Sequence, residues 1–127
     1  MATPAEVASR IAEWRRRDER EHPEGLYDLV MAWLDDSDDE VRFEAVLFLG
    51  HHLKQLSDGQ RLLEVATADP SERIRKAACD ALGGAFRNTH DRRVLTILAD
   101  ISRNTDEDGD VRAAALGAIR RINSQRF

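Results

Sequence analysis

Apolar residues in three stretches of the chain recur with the period of an α-helix. In the first stretch they occupy steps 0, +4, +5, +8 and +12, which are Val41, Ala45, Val46, Leu49 and Leu53. The second stretch repeats these steps with Ile74, Ala78, Cys79, Leu82 and Phe86. The third begins at Val111 and has Ala115 and Ile119 at steps +4 and +8. Side chains at this spacing lie on one face of a helix, so each stretch predicts a helix with one buried face.

The three stretches are copies of one motif. Residues 36–50, 69–83 and 106–120 align without a gap. Each copy has an aspartate five residues before its first apolar position and an arginine directly after that position, namely Asp36 with Arg42, Asp69 with Arg75, and Asp106 with Arg112. The spacing between copies is 33 and then 37 residues. Repeats of this length indicate helical units that bury their apolar faces against neighbouring units.

A further helix is predicted before each copy, over about 26–34, 60–68 and 91–102, so the repeating unit is a pair of helices. Start signals for the helices of the first two copies are Ser37 with Glu40, and Asp69 with Pro70 and Glu72; the helices that precede the second and third copies are opened by Ser57 with Gln60 and by Thr89. An extra helix at the N-terminus starts at Thr3, Pro4 and Glu6 and is expected to end near His22 and Pro23.

The architecture predicted from these elements is an all-α solenoid with seven helices and no strand. It forms one domain, 1–127, with an N-terminal capping helix at 3–22 and about three two-helix repeats at approximately 25–57, 58–89 and 90–123.

The acidic run before the first copy is the most concentrated group of polar side chains. Five of the six residues 35–40 are carboxylates. A calcium loop counted from Asp36 needs glycine at position 6 and glutamate at position 12, where this chain has Val41 and Leu47. The run is better explained as a helix start, where the helix dipole favours negative charge. We expect no metal site here.

No catalytic group is recognisable in the sequence. His51 and His52 are adjacent, so on a helix they point about 100° apart and cannot hold one ion from one face; surface or rim positions are expected for both. Cys79 lies on an apolar face, which predicts a buried and unreactive thiol. No serine stands beside a base in a nucleophile motif. We therefore expect a protein that is not an enzyme and needs no cofactor.

Charge and composition narrow the class of partner. The formal net charge of −5 argues against nucleic acid, because nucleic-acid-binding domains are usually basic. A single cysteine excludes an internal disulfide framework and favours a cytoplasmic location. No run of about eighteen apolar residues is present, so we expect no membrane partner.

The repeated pattern D-x-x-x-x-[VI]-R-x-x-A-x-x-x-[LI]-G resembles the short HEAT-type repeats, especially the variety named after phycobilisome lyases. The resemblance covers residues 25 to about 122. It implies that the motif's aspartates and arginines form a ladder between neighbouring repeats. It also implies that the second helix of each repeat lines a concave face where partners bind. The third copy departs from the pattern, with a longer linker and Arg120 in place of the motif's glycine.

Steps +2, +3, +6 and +10 point away from the buried face of each copy. The first copy has Phe43, Glu44, Leu47 and His51 there, the second Lys76, Ala77, Asp80 and Gly84, and the third Ala113, Ala114, Gly117 and Arg121. Only the first copy has a large apolar pair, and a helix that is apolar all round is normally buried all round. Either the N-terminal helix or its linker covers Phe43 and Leu47, or the two form the centre of an interaction surface.

We therefore predict a non-enzymatic module that binds a protein partner through the concave second-helix face. The candidate site has Phe43 and Leu47 as apolar anchors, with Glu44, His51, Lys76, Asp80, Arg87 and Arg121 around them. One alternative is a bacterial immunity protein that inhibits a cognate toxin. The resemblance implies another, a bilin lyase-like subunit, and a homodimer is also compatible with the same face.

Overall fold

The computed structural model describes residues 1–124, and these residues are mainly helical. The α-helices are α1 (Pro4–Arg15), α2 (Leu26–Trp33), α3 (Asp39–His52), α4 (Gly59–Ala68), α5 (Glu72–Ala85), α6 (Arg92–Arg103) and α7 (Gly109–Ile122). Short 3₁₀ turns occur at Glu19–Glu21 and Leu56–Asp58. No strand occurs within residues 1–124, so the predicted all-α class is confirmed. Residues 125–127 of the predicted domain lie outside the described residues.

The helices form two layers. In one layer α3, α5 and α7 pack side by side, and α1 extends this layer beyond α3. In the other layer α2, α4 and α6 each pack against the helix that follows them in the chain. This is the predicted α-solenoid of three helix pairs with an extra N-terminal helix.

The apolar face of each repeat forms the core. Val41, Leu49, Ile74 and Leu82 are at most 2% exposed, and burial of one such side chain contributes about 1.5–3 kcal/mol. Cys79 is also fully buried, and desolvation raises the pKa of its thiol to about 12. The predicted burial of this thiol is therefore confirmed.

The glycine of the motif allows neighbouring repeats to approach closely. A Cβ atom added at Gly50 would lie 3.0 Å from the Cβ atom of Ala81, and one added at Gly83 would lie 2.9 Å from the Cα atom of Ala118. These contacts join α3 to α5 and α5 to α7. In the third copy the equivalent residue, Arg120, is exposed, so the helix contact that requires glycine in the first two copies is not made there.

The helix starts differ from the predicted ones by one or two residues. The helix α3 is capped by Asp38, not Ser37, since the Asp38 carboxylate accepts from the Val41 amide. The helix α5 is capped by Ser71, because Asp69 and Pro70 precede the helix. The first two motif aspartates instead stabilise the turn before the cap, since the Asp36 carboxylate accepts from the Asp38 amide and the Asp69 carboxylate accepts from the Ser71 amide, both at 2.9 Å.

Two of the other predicted starts are also wrong. The helix α6 is capped by Asp91, while the Thr89 hydroxyl accepts from the Asp91 amide. The helix α4 has no side-chain cap, since Ser57 lies within the 3₁₀ turn that precedes it. At the N-terminus Thr3 caps α1 as predicted, with its hydroxyl 3.2 Å from the Glu6 amide.

The N-terminal helix ends at Arg15, well before the predicted end near His22. The cause is a reversal of the chain that brings His22 back onto the helix end. Its Nε2 atom lies 2.6 Å from the Trp14 carbonyl oxygen, and Nε2 of His52 lies 2.9 Å from the Arg15 carbonyl oxygen. Two imidazoles therefore contact carbonyl oxygens of the last turn of α1. His52 is half-buried in this contact, whereas His51 is exposed.

The ladder between repeats is present, with one change of partner. The guanidinium of Arg42 donates two hydrogen bonds to the carboxylate of Asp69, at 3.0 and 3.3 Å. Arg75 makes the equivalent pair with Glu107, at 2.9 Å for both bonds. The predicted partner, Asp106, is exposed and takes no part in the ladder. The Asp69 carboxylate is buried in this pair, and its ion-pair partner is Arg42 at 3.0 Å.

The longer third linker explains this change. The side-chain oxygen of Asn104 accepts from the Asp106 amide at 3.0 Å, and the Asn104 carbonyl accepts from the Glu107 amide at 3.1 Å. This additional turn directs Asp106 outward and places the next residue, Glu107, against Arg75. Arg112 ends the series with a bond to the Ser102 carbonyl oxygen at 3.2 Å.

Candidate functional site

The outward faces of α3, α5 and α7 form a groove of about 670 Å³. Seven of the eight residues predicted for the binding site line it: Phe43, Leu47, His51, Lys76, Asp80, Arg87 and Arg121. The helical steps therefore identified a continuous surface contributed by three different repeats. The eighth residue, Glu44, does not line this groove. It faces α1, where its carboxylate lies 3.6 Å from the guanidinium of Arg15 and its side chain is 17% exposed.

The apolar end of the groove lies on α3. Phe43 and Leu47 are both half-buried and pack against the edge of the core. The guanidinium of Arg73 lies over the Phe43 ring, 3.7 Å from its centroid, in a cation–π contact. The same guanidinium is 2.6 Å from the Glu40 carboxylate. Cover for the Phe43 ring therefore comes from α5, and both apolar side chains still line the groove.

The basic end of the groove lies on α5 and α7. Arg121 is only loosely held, with 3.4 Å to the Asp80 carboxylate and 3.4 Å to the Gly117 carbonyl oxygen. Lys76 and Arg87 are exposed and form no salt bridge with residues 1–124. Together with Arg73, the lining holds four cationic side chains and one carboxylate. This surface is basic although the chain as a whole carries a formal charge of −5.

The floor of the groove is made of small residues, namely Gly50, Ala77, Ala81 and Gly84. Above Gly84 the space is open, since an added Cβ atom would meet nothing closer than the Gly50 carbonyl oxygen at 3.7 Å. His51 is exposed at the margin. A partner can therefore approach the helix backbone between the apolar end and the basic end.

Arg73 and the four small residues of the floor were not predicted as site residues, although Ala77 and Gly84 were placed on the outward face. Arg73 occupies step −1 of its copy, at about 260° around the helix, which is the middle of the outward arc. Glu40 occupies the same step in the first copy, and the two side chains are paired. Extending the helical wheel back by one residue would have identified both.

Other chemistry is limited in the described part of the chain. Residues 1–124 contain no cluster of three or more histidine, cysteine, aspartate or glutamate side chains placed to hold a metal ion. Within the same residues, no helix combines the length and apolar character needed to cross a membrane.

Comparison with known families finds a match to HEAT repeats. The family model for HEAT repeats matches residues 2–83 and again residues 59–126, which together span nearly all of the chain. No curated protein and no solved structure gives a significant match.

Proposed function

The chain belongs to the HEAT-repeat family, and on that premise we propose that it is a non-enzymatic module that binds another protein in the groove of α3, α5 and α7. The main support is the groove itself. It combines the half-buried apolar pair Phe43 and Leu47 with exposed cations. Protein interfaces commonly combine an apolar centre with a polar rim in this way.

Two further observations favour binding over catalysis. The one cysteine, Cys79, is buried with a raised thiol pKa, so it does not provide a nucleophile. The groove lining has one exposed imidazole, His51, and one carboxylate, Asp80, which is paired with Arg121. No nucleophile stands beside them in the lining. The buried, unpaired cysteine also supports a reducing compartment such as the cytoplasm as our proposed location.

The test is a comparison of two leucine variants in a pull-down from the native source. Leu47→Ser removes apolar surface inside the groove, whereas Leu29→Ser makes the same change on α2, where Leu29 is 53% exposed. We expect the wild type and Leu29→Ser to retain a common partner and Leu47→Ser to lose it. Circular dichroism must show that both variants are folded. Equal retention by a folded Leu47→Ser variant would refute the proposed face.

The alternative functions predict different results in the pull-down and in two further measurements. Recovery of one tightly bound toxin would identify an immunity protein that uses this groove. Visible absorbance of a bound bilin would instead favour the lyase-type subunit. A homodimer would be seen as a doubled mass in sedimentation equilibrium, and it should be lost in Leu47→Ser if the groove forms the contact.

A further inference from the structure

We infer that the segment bound in this groove is an acidic stretch of the partner protein with one apolar anchor residue. This inference rests on the proposed function and names the class of partner. The anchor would sit on Phe43 and Leu47, and the carboxylates would face Lys76, Arg87 and Arg121.

The first argument is charge complementarity. Lys76 and Arg87 are exposed and have no ion-pair partner within residues 1–124. The contact of Arg121 with Asp80 is long at 3.4 Å, and the two side chains are 35% and 47% exposed. An exposed pair of this kind contributes little to stability, so Arg121 can turn toward an incoming carboxylate at low cost. Three cations are thus available to a partner.

The second argument is the order of features along the groove. Its apolar end is on α3, whereas Lys76 is on α5 and Arg121 is on α7. Packed helices lie about 8–10 Å apart, so the groove spans roughly 20 Å from α3 to α7. An extended peptide covers this distance with about six residues. The carboxylates of the partner are therefore expected about two to six residues from its apolar anchor.

Nucleic acid fits the same groove less well. A phosphate backbone is uniformly negative and is best held by a continuous row of lysine and arginine side chains. Here Asp80 interrupts the row, and Arg73 is already paired with Glu40 at 2.6 Å. The aliphatic Leu47 also offers no stacking surface for a base. An acidic peptide can place carboxylates on the cations and an apolar side chain on Leu47.

The experiment uses fluorescence anisotropy with four labelled probes on the full chain. The first two are peptides with one leucine and four glutamates, with the leucine at either end. The third replaces the leucine by serine, and the fourth is a ten-nucleotide single-stranded DNA. We expect one leucine-containing peptide to bind most tightly and its affinity to fall as salt is raised.

Charge-reversal variants identify the contact. Lys76→Glu and Arg87→Glu should each weaken binding of that peptide by about tenfold, since a reversal replaces attraction by repulsion. Arg92→Glu makes the same charge change on α6, where Arg92 is exposed and outside the groove, and should leave binding unchanged. Leu47→Ser should weaken only the leucine-containing peptides.

Several results would overturn the inference. These are no binding of either leucine-containing peptide, tighter binding of the DNA, equal weakening by Arg92→Glu, or a dimer of this chain that Lys76→Glu dissociates. The proposed function fails separately. If the captured partner depends on Leu47 but not on Lys76 or Arg87, the groove binds a protein and the acidic class is wrong. If the partner does not depend on Leu47, the proposed function itself is wrong.

Discussion

Two adjacent glycines near the end of α5 should differ in how much stability they gain or lose on the same substitution. At Gly83, an added Cβ atom would lie 2.9 Å from the Ala118 Cα atom and 3.0 Å from its Cβ atom. At Gly84 the nearest atom would be the Gly50 carbonyl oxygen at 3.7 Å, which is an ordinary contact. Both glycines lie in the same helical turn, so alanine brings a similar gain in helix propensity at each.

The expected magnitudes follow from these distances. Replacing glycine by alanine within a helix contributes about 1 kcal/mol of stability. At Gly84 nothing opposes this gain, so Gly84→Ala should stabilise the protein by up to about 1 kcal/mol. At Gly83 the new methyl group meets backbone that cannot turn aside, and overpacking of this kind costs about 1–3 kcal/mol. The propensity gain cancels in the comparison, so Gly83→Ala should be about 1–3 kcal/mol less stable than Gly84→Ala.

The measurement is urea unfolding followed by circular dichroism at the helical band, with the free energy taken at a common slope. Gly50→Ala provides a third point, because its Cβ atom would lie 3.0 Å from the Ala81 Cβ atom and 3.2 Å from its Cα atom. It should fall between the other two variants. If Gly83→Ala is as stable as Gly84→Ala, then α5 and α7 are not packed as closely as described, and the role assigned to the motif glycine is wrong.

Three further predictions concern single side chains. Glu107→Gln should lower the free energy of unfolding by about 1–3 kcal/mol, because it removes the carboxylate that pairs with Arg75. Asp106→Asn should change the free energy of unfolding by less than about 0.5 kcal/mol. Urea unfolding measures both. The hydrogen bonds from Arg75 lower the pKa of Glu107 in the folded state. The ionised carboxylate therefore contributes its full stability above the unfolded pKa, and this stability is lost as the pH falls through the folded pKa. The wild type should lose more stability on acidification than Glu107→Gln does. Burial and the 2.6 Å hydrogen bond to Asp58 raise the pKa of Tyr27 to about 12, so an ultraviolet titration of this one tyrosine should show ionisation near pH 12 instead of pH 10, with stability falling as pH rises between these values. Cys79 should react with a thiol reagent only after unfolding, and fast reaction in native buffer would contradict its burial.

The sequence predicted the helices well because their apolar period is repeated three times. Positions such as Ile74 and Leu82 have to be buried in any stacked arrangement, so the core could be identified without coordinates. Helix starts were less certain, because Ser37 and Asp38 are both good caps and lie next to each other. Which of the two caps α3 depends on the preceding turn, where the Asp36 carboxylate accepts from the Asp38 amide at 2.9 Å.

The ladder shows where a family pattern stops being informative. The match of Arg42 to Asp69 follows the repeat spacing of 33 residues, and the structure has this pair. The next linker is longer, and its own hydrogen bond at Asn104 changes which acidic side chain faces the arginine. An alignment without gaps around the motif cannot reveal this, since Asp106 occupies the expected position and Glu107 makes the contact.

The distribution of charge matters more for binding than the net charge, and the fold explains why the two differ here. The pairs Arg73 with Glu40 and Arg75 with Glu107 join the starts of neighbouring second helices, so the carboxylates of the motif gather along one edge of the solenoid. There they cap helices and pair with arginines, as the helix dipole favours. The adjoining face is left with Lys76 and Arg87 and without enough carboxylates to balance them. A partner that docks in the groove contacts these cations directly, where screening by salt is weaker than for charges more than a Debye length away. An acidic chain can therefore have an acidic partner.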